Sequence, residues 1–85
     1  MITHVAIKFK GKTYSLPAPN RHHHVIKLIV EETGVSYVDD DEQGFLDDTG
    51  RFLNRKQALQ EAELSDQIID PKKVLLNMLF SENVW

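Results

Sequence analysis

Three groups of residues carry side chains with chemical potential. The first is Arg21-His22-His23-His24, one guanidinium followed by three imidazoles. On a helix, consecutive side chains point about 100° apart. The three imidazoles therefore cannot converge on one metal ion, for which an i, i+4 spacing suits better. At a helix start, the run lies where free backbone N–H groups and the helix dipole attract anions such as phosphate. The plainer alternative is that one histidine packs and the others are solvated. The second group is the acidic run Asp39–Glu42, followed by Gln43-Gly44. Counted from Asp39, the twelfth position is Gly50, where a calcium loop needs a bidentate glutamate. Calcium is excluded, and the run reads as a solvated loop, or more weakly as a mimic of nucleic-acid phosphate. The third group is Gln43-Gly44-Phe45 with Arg51-Phe52-Leu53-Asn54-Arg55. Phe45 and Phe52 offer flat apolar faces, Arg51 and Arg55 offer fixed positive charge, and Gln43 and Asn54 are amides able to read a base or a ribose. Against this stands the reading in which both phenylalanines fill the core and both arginines are surface charge.

No constellation for catalysis accompanies these groups. Ser15, Ser36, Ser65 and Ser81 lack the partner spacing of a nucleophile, and there is no Gly-rich phosphate loop. With no cysteine in the chain, disulfides and thiolate chemistry are excluded. The chain reads as a non-enzyme with no cofactor and no metal site.

The elements that must position these residues follow from periodicity and turn chemistry. Ile2–Lys10 alternates, with Thr3, Val5, Ile7 and Phe9 on one face, and reads as a half-buried strand. A turn at Gly11-Lys12 and a second strand over Thr13–Leu16 complete a hairpin, which Pro17-Ala18-Pro19 ends. Asn20 is the expected N-cap of a helix over Arg21–Thr33, with Gly34 as its C-terminal stop. Val35–Val38 is a short strand candidate. Gln43–Leu53 reads as a second hairpin around Asp47-Asp48-Thr49-Gly50. Asn54, with Gln57 three residues on, caps a helix whose candidates for burial are Ala58, Leu59, Ala62 and Leu64. Asp70-Pro71 looks like the start of a third helix, with Val74, Leu75, Met78 and Leu79 as its apolar stripe.

These 85 residues read as a single domain, 1–85, of the α+β class, with N-terminal antiparallel hairpins followed by helices, and the expected assembly is homo-oligomeric. Apolar residues make up 41% and charged residues 27%, which suits a globular chain. The formal charge of −3 lacks the basic excess of a backbone-binding nucleic-acid protein, so general DNA or RNA binding is disfavoured. Apolar runs of only a few residues exclude a membrane span, and Met1–Phe9 has no apolar signal-peptide region. The expected location is a cytoplasm.

In order along the chain stand Lys12-Thr13-Tyr14, Arg21-His22-His23 before Val25-Ile26, Glu31-Glu32-Thr33-Gly34, Glu42-Gln43-Gly44-Phe45, Gly50-Arg51-Phe52-Leu53-Asn54-Arg55, Gln67-Ile68-Ile69 and the ending Leu79-Phe80-Ser81-Glu82-Asn83-Val84-Trp85. This order, over about Ala6 to Trp85, resembles the phage anti-Thoeris sponge family. The sequence departs from that pattern in a longer turn at Pro17–Asn20, in a third histidine at His24 and in Asn83-Val84. The resemblance implies a non-catalytic phage anti-defence protein in the cytoplasm of the host bacterium. It would bind and sequester a cyclic nucleotide immune signal, a cyclic ADP-ribose isomer or a cyclic oligonucleotide. Carried over, it implies Arg21 and His22 for phosphate, Phe45 or Phe52 for base stacking, Gln43 and Asn54 for polar reading, Arg51 and Arg55 for charge, and Gly44 within the same unit. A subunit of this size cannot wrap such a ligand alone, so a homodimer or higher oligomer with shared pockets is expected. The tail Leu79–Trp85 either docks on the partner or packs on its own sheet. A competing reading from another class is a protein–protein inhibitor of a host defence complex, of the anti-CRISPR type, motivated by the acidic balance and the Asp39–Glu42 run.

Overall fold

The computed structural model describes residues 1–38, 41–74 and 77–85. Strands β1 (Ile2–Phe9) and β2 (Lys12–Pro17) form a hairpin, followed by helix α1 (His22–Thr33). Strands β3 (Asp41–Asp47) and β4 (Phe52–Asn54) form a second hairpin, and helix α2 (Arg55–Leu64) follows it directly. Two short 3-10 turns, Pro71–Lys73 and Ser81–Asn83, lie in the C-terminal segment. The strands make one antiparallel sheet in the order β2-β1-β3-β4. The α+β fold expected from the sequence is the one observed.

The first hairpin closes through Lys10-Gly11, not Gly11-Lys12, because both loop residues take positive φ (51° and 79°). Such two-residue loops match the right-handed twist of the strands. Phe9 and Lys12 are the closing pair, and pairing runs to His4 opposite Pro17.

Alternation along the strands gives the sheet one core face. Val5, Ile7 and Phe9 of β1, Tyr14 of β2, Phe45 of β3 and Leu53 of β4 are buried there. They meet Val25 and Ile29 of α1, Ala58, Leu59 and Ala62 of α2, and Leu79. One irregularity corrects the sequence reading. Ile2 stands opposite Asp47 while His4 stands opposite Leu46, so β1 carries one extra residue at Thr3. This bulge turns Ile2 into the core in place of Thr3, whose hydroxyl donates to the Asp47 carbonyl at 3.3 Å.

Other expectations change with it. Arg21, not Asn20, is the N-cap of α1, and Leu64, the last residue of α2, is exposed rather than buried with Ala58, Leu59 and Ala62. Val35–Val38 forms bends rather than a strand, with Val35 and Val38 resting on the core and Tyr37 exposed. Asp41 and Glu42 are not in a loop but pair with Phe9 and Lys8. The full length of β1 offers them a ladder, and Glu42 opposite Lys8 is a favourable cross-strand pair. Asp39 and Asp40 lie outside the described residues. The third helix starts as expected, with the Asp70 carboxylate accepting the Lys72 N–H at 3.1 Å, but stops after one 3-10 turn at Lys73. Its expected residue Leu75 lies outside the described residues. Leu79 leaves helical geometry because it is captured by the core and its N–H donates to the Arg55 carbonyl at 3.0 Å.

Candidate functional site

Both helices begin against the same stretch of chain, Leu79–Trp85. Arg21, just before α1, donates through its guanidinium to the Trp85 backbone oxygen at 2.6 Å and to the Ser81 hydroxyl at 3.2 Å. Arg55, the first residue of α2, donates to the Leu79 carbonyl and to the Gln43 side-chain carbonyl, each at 2.7 Å. The same guanidinium lies 4.4 Å from the Phe80 ring centre. Burial lowers the Arg55 pKa, and the charges of Glu82 and Asp41 oppose that shift. The Trp85 indole N–H donates to the Asn20 carbonyl at 2.8 Å, and its ring meets Phe45 edge-on at 6.3 Å. The tail thus docks on its own protomer, the second of the two arrangements expected for it.

His22 is buried under this clasp. Its Nε2 lies 2.8 Å from the Gly44 carbonyl, and its ring stands edge-on to Phe45 at 5.0 Å. Burial pushes its pKa below the ordinary 6.5, the Gly44 bond partly restores it, and the Arg55 charge lowers it further. Gly44 itself has no room for a side chain. A Cβ there would stand 2.2 Å from the Leu53 carbonyl oxygen and 2.7 Å from Cζ of Phe52, whose ring lies across the glycine.

These placements divide the nine sequence candidates. Phe45 has 0% exposure, so its ring is closed to any base, and the stacking role considered for it is corrected. His22 is likewise a core residue bonded to main chain, and Arg21 is engaged by the tail. Gln43, Asn54 and Arg55 do come together, beside Asp41, Glu42, Lys56 and Met78, around an open cleft of about 570 Å³. Asn54 is held as the N-cap of α2: its side chain accepts the Gln57 N–H at 2.8 Å, and its own N–H donates back to Gln57 at 3.0 Å. Gln43 is fixed between Arg55 and Asp41, donating to the Asp41 carboxylate at 3.1 Å. Arg51 and Phe52 instead border a separate depression of about 290 Å³ with Gln57, Gln60 and Leu64. Arg51 is exposed and pairs with Asp47 at 3.3 Å, while the Lys8 ammonium sits 4.4 Å above the Phe52 ring.

Sequence reasoning missed Lys56 and Met78 as cleft walls. Lys56 was findable, since it directly follows Arg55 at a capped helix start. Met78 was not, because its position depends on where the expected third helix stops. Chemically the cleft offers two amides in fixed orientation and two cations, with Asp41 and Glu42 as an opposing acidic wall. Among the described residues no group of three His, Cys, Asp or Glu side chains is arranged to hold a metal ion, and no helix is long and apolar enough to cross a membrane.

The model of the family described as Phage T4 y16D protein matches residues 1–85. The chain belongs to that family. It is therefore a small phage protein, in line with the phage origin implied by the resemblance; the anti-Thoeris sponge family is not what the match names. No curated protein and no solved structure matches the chain.

Proposed function

We propose that this member of the phage family is a non-catalytic anti-defence protein of the host cytoplasm that binds and sequesters a cyclic nucleotide immune signal. The observation that carries the reading is the cleft joining Gln43, Asn54, Arg55 and Lys56. Its volume of about 570 Å³ falls within the roughly 300–1,000 Å³ usual for small-ligand sites. Amides held from behind by helix capping and by the Arg55 bond are pre-organised for reading a base edge or ribose hydroxyls, which lowers the ordering cost of binding. Lys56 is exposed at the rim and supplies a charge for phosphate. A cleft this open is shared in a homo-oligomer or closed by the ligand itself. Holding without cleaving needs fixed dipoles and charges and no activated nucleophile, and the groups lining the cleft are of that kind.

Calorimetry with cyclic ADP-ribose isomers and with cyclic di- and trinucleotides tests this. The expected result is micromolar or tighter binding of one of them, its recovery unaltered, and about tenfold weaker binding by Lys56→Ala, near 1.4 kcal/mol. Failure of every nucleotide to bind overturns the reading, and recovery of an altered nucleotide overturns its non-catalytic part.

The protein–protein inhibitor reading has one observation of its own. Tyr37, Leu64 and Ile69 are large apolar side chains left exposed, Leu64 at 86%. Capture from host lysate decides between the two: a stoichiometric large partner favours inhibition, and a small nucleotide released on denaturation favours sequestration.

A further inference from the structure

We propose that the β2 edge and the adjoining flank of α1 form a two-fold interface with a second copy of this chain. In it, the stretch Thr13–Ser15 pairs antiparallel with itself and Leu28 packs on Leu28. This goes beyond the nucleotide reading and does not depend on it.

The backbone phase of β2 carries the first part. The closing pair of a two-residue hairpin loop, Phe9 with Lys12, exchanges hydrogen bonds, and bonding then alternates along the ladder. Lys12, Tyr14 and Leu16 therefore turn their N–H and C=O groups toward β1. Thr13, Ser15 and Pro17 turn theirs outward. Pro17 confirms the phase: its missing N–H falls on the outer side, where no ladder bond is lost. Its outward carbonyl is already taken by the Asn20 N–H at 3.1 Å and the Asn20 amide at 2.8 Å. Among the described residues, what is left on the edge is one N–H and one C=O from each of Thr13 and Ser15. That set is self-complementary. With Tyr14 on a two-fold axis, Thr13 faces Ser15 of the second copy, Ser15 faces its Thr13, and four main-chain hydrogen bonds close. In the same register Lys12 falls opposite Leu16 of the second copy, so the lysines stay apart.

The helix flank carries the second part. Val25 and Ile29 point α1 into the core, whereas Leu28 is half-buried and lies outside the core cluster among the described residues. One turn on from Leu28, Glu32 reaches back to the Lys12 ammonium at 3.9 Å, so this flank of α1 overhangs the β2 edge. α1 returns antiparallel to β2, and two residues of strand rise about as far as four of helix, about 6 Å. Counting from the Lys12–Glu32 pair, Leu28 is level with Tyr14. The axis that pairs the two β2 edges thus also brings Leu28 onto Leu28 of the second copy. His24 then lies across from Glu32 of the second copy. The Arg21 N–H donates to His24 Nδ1 at 2.9 Å, which leaves Nε2–H as the outward donor for that carboxylate.

Sedimentation equilibrium of the ligand-free protein at about 100 µM, with circular dichroism as the check on folding, tests the proposal. The expected mass is twice 9.8 kDa. Ser15→Pro removes only an outward N–H, and Leu28→Glu places a charge on the axis; each is expected to give the single-chain mass. Should Ser15→Pro fail to fold, the Leu28 variants still decide. In a chain without cysteine, Leu28→Cys is expected to oxidise to a covalent dimer. A wild-type monomer at that concentration, a dimer indifferent to Leu28→Glu, or no cross-link from Leu28→Cys overturns the proposal.

Discussion

His22 gives pH a hold on this fold. The unfolded chain titrates it at 6.5, and burial in the folded protein sets its pKa lower. Between the two values the unfolded chain binds the extra proton, so stability is full above 6.5 and declines as pH falls through it. Thermal melting is expected to drop between about pH 7.5 and about pH 5.5, and His22→Gln, which keeps a donor for the Gly44 carbonyl, should flatten that slope. Asp47 acts in a lower window. The Thr49 hydroxyl, the Arg51 and Thr49 N–H groups and the Arg51 charge hold its pKa at about 2 against an ordinary 3.8. Its contribution is present above 3.8 and lost as pH falls toward 2. Gly44→Ala forces a methyl into the Leu53 carbonyl and should destabilise by about 3 kcal/mol in urea denaturation, the upper range for overpacking. At this scale the sequence shows which side chains are special but not what they hold. Arg21 and Arg55 stand out as cations, yet the shortest bond of Arg21 and one of the two bonds of Arg55 go to main-chain oxygens, at Trp85 and Leu79, which have no signature in residue type.

The elements were legible where local chemistry decides them. Asn54 and Gln57 announce the start of α2, Gly34 its counterpart at the end of α1, and the Asp47–Gly50 turn the second hairpin. Asn54→Ala removes that cap and should cost about 1 kcal/mol of unfolding free energy in the same assay. Legibility failed where tertiary partners override propensity. Asp41 and Glu42 are poor strand formers, recruited because β1 extends to Phe9 and Lys8 beside them. The bulge at Thr3 depends on register with β3 and leaves no mark in the alternating pattern of β1. As for the candidate site, the Gln43–Arg55 neighbourhood was visible as a cluster of amides and cations. That Phe45 belongs to the core and Phe52 to the far side of Gly44 is set by strand parity, which a one-residue uncertainty in register reverses.

For the whole molecule, the decisive feature is a clasp closed by residues about sixty positions apart in the chain. Arg21→Ala leaves the Ser81 hydroxyl and the Trp85 backbone oxygen without their donor. Since hydrogen bonds to charged groups are worth roughly 1.5–3 kcal/mol, a loss near 2 kcal/mol is expected on chemical denaturation. Removing residues 79–85 would uncover Phe45 and His22 together, and circular dichroism of that shortened chain should show no cooperative melt. Trp85 is the lone tryptophan, and it sits at the far end of this clasp with its indole bonded to Asn20 and its ring against Phe45. The molecule therefore carries a built-in optical probe: the emission of the water-exposed indole in the denatured chain should shift to the blue only when the last residues seat. If folding is all-or-none, fluorescence and far-UV traces coincide. If the tail detaches first, the emission changes while the sheet is still intact.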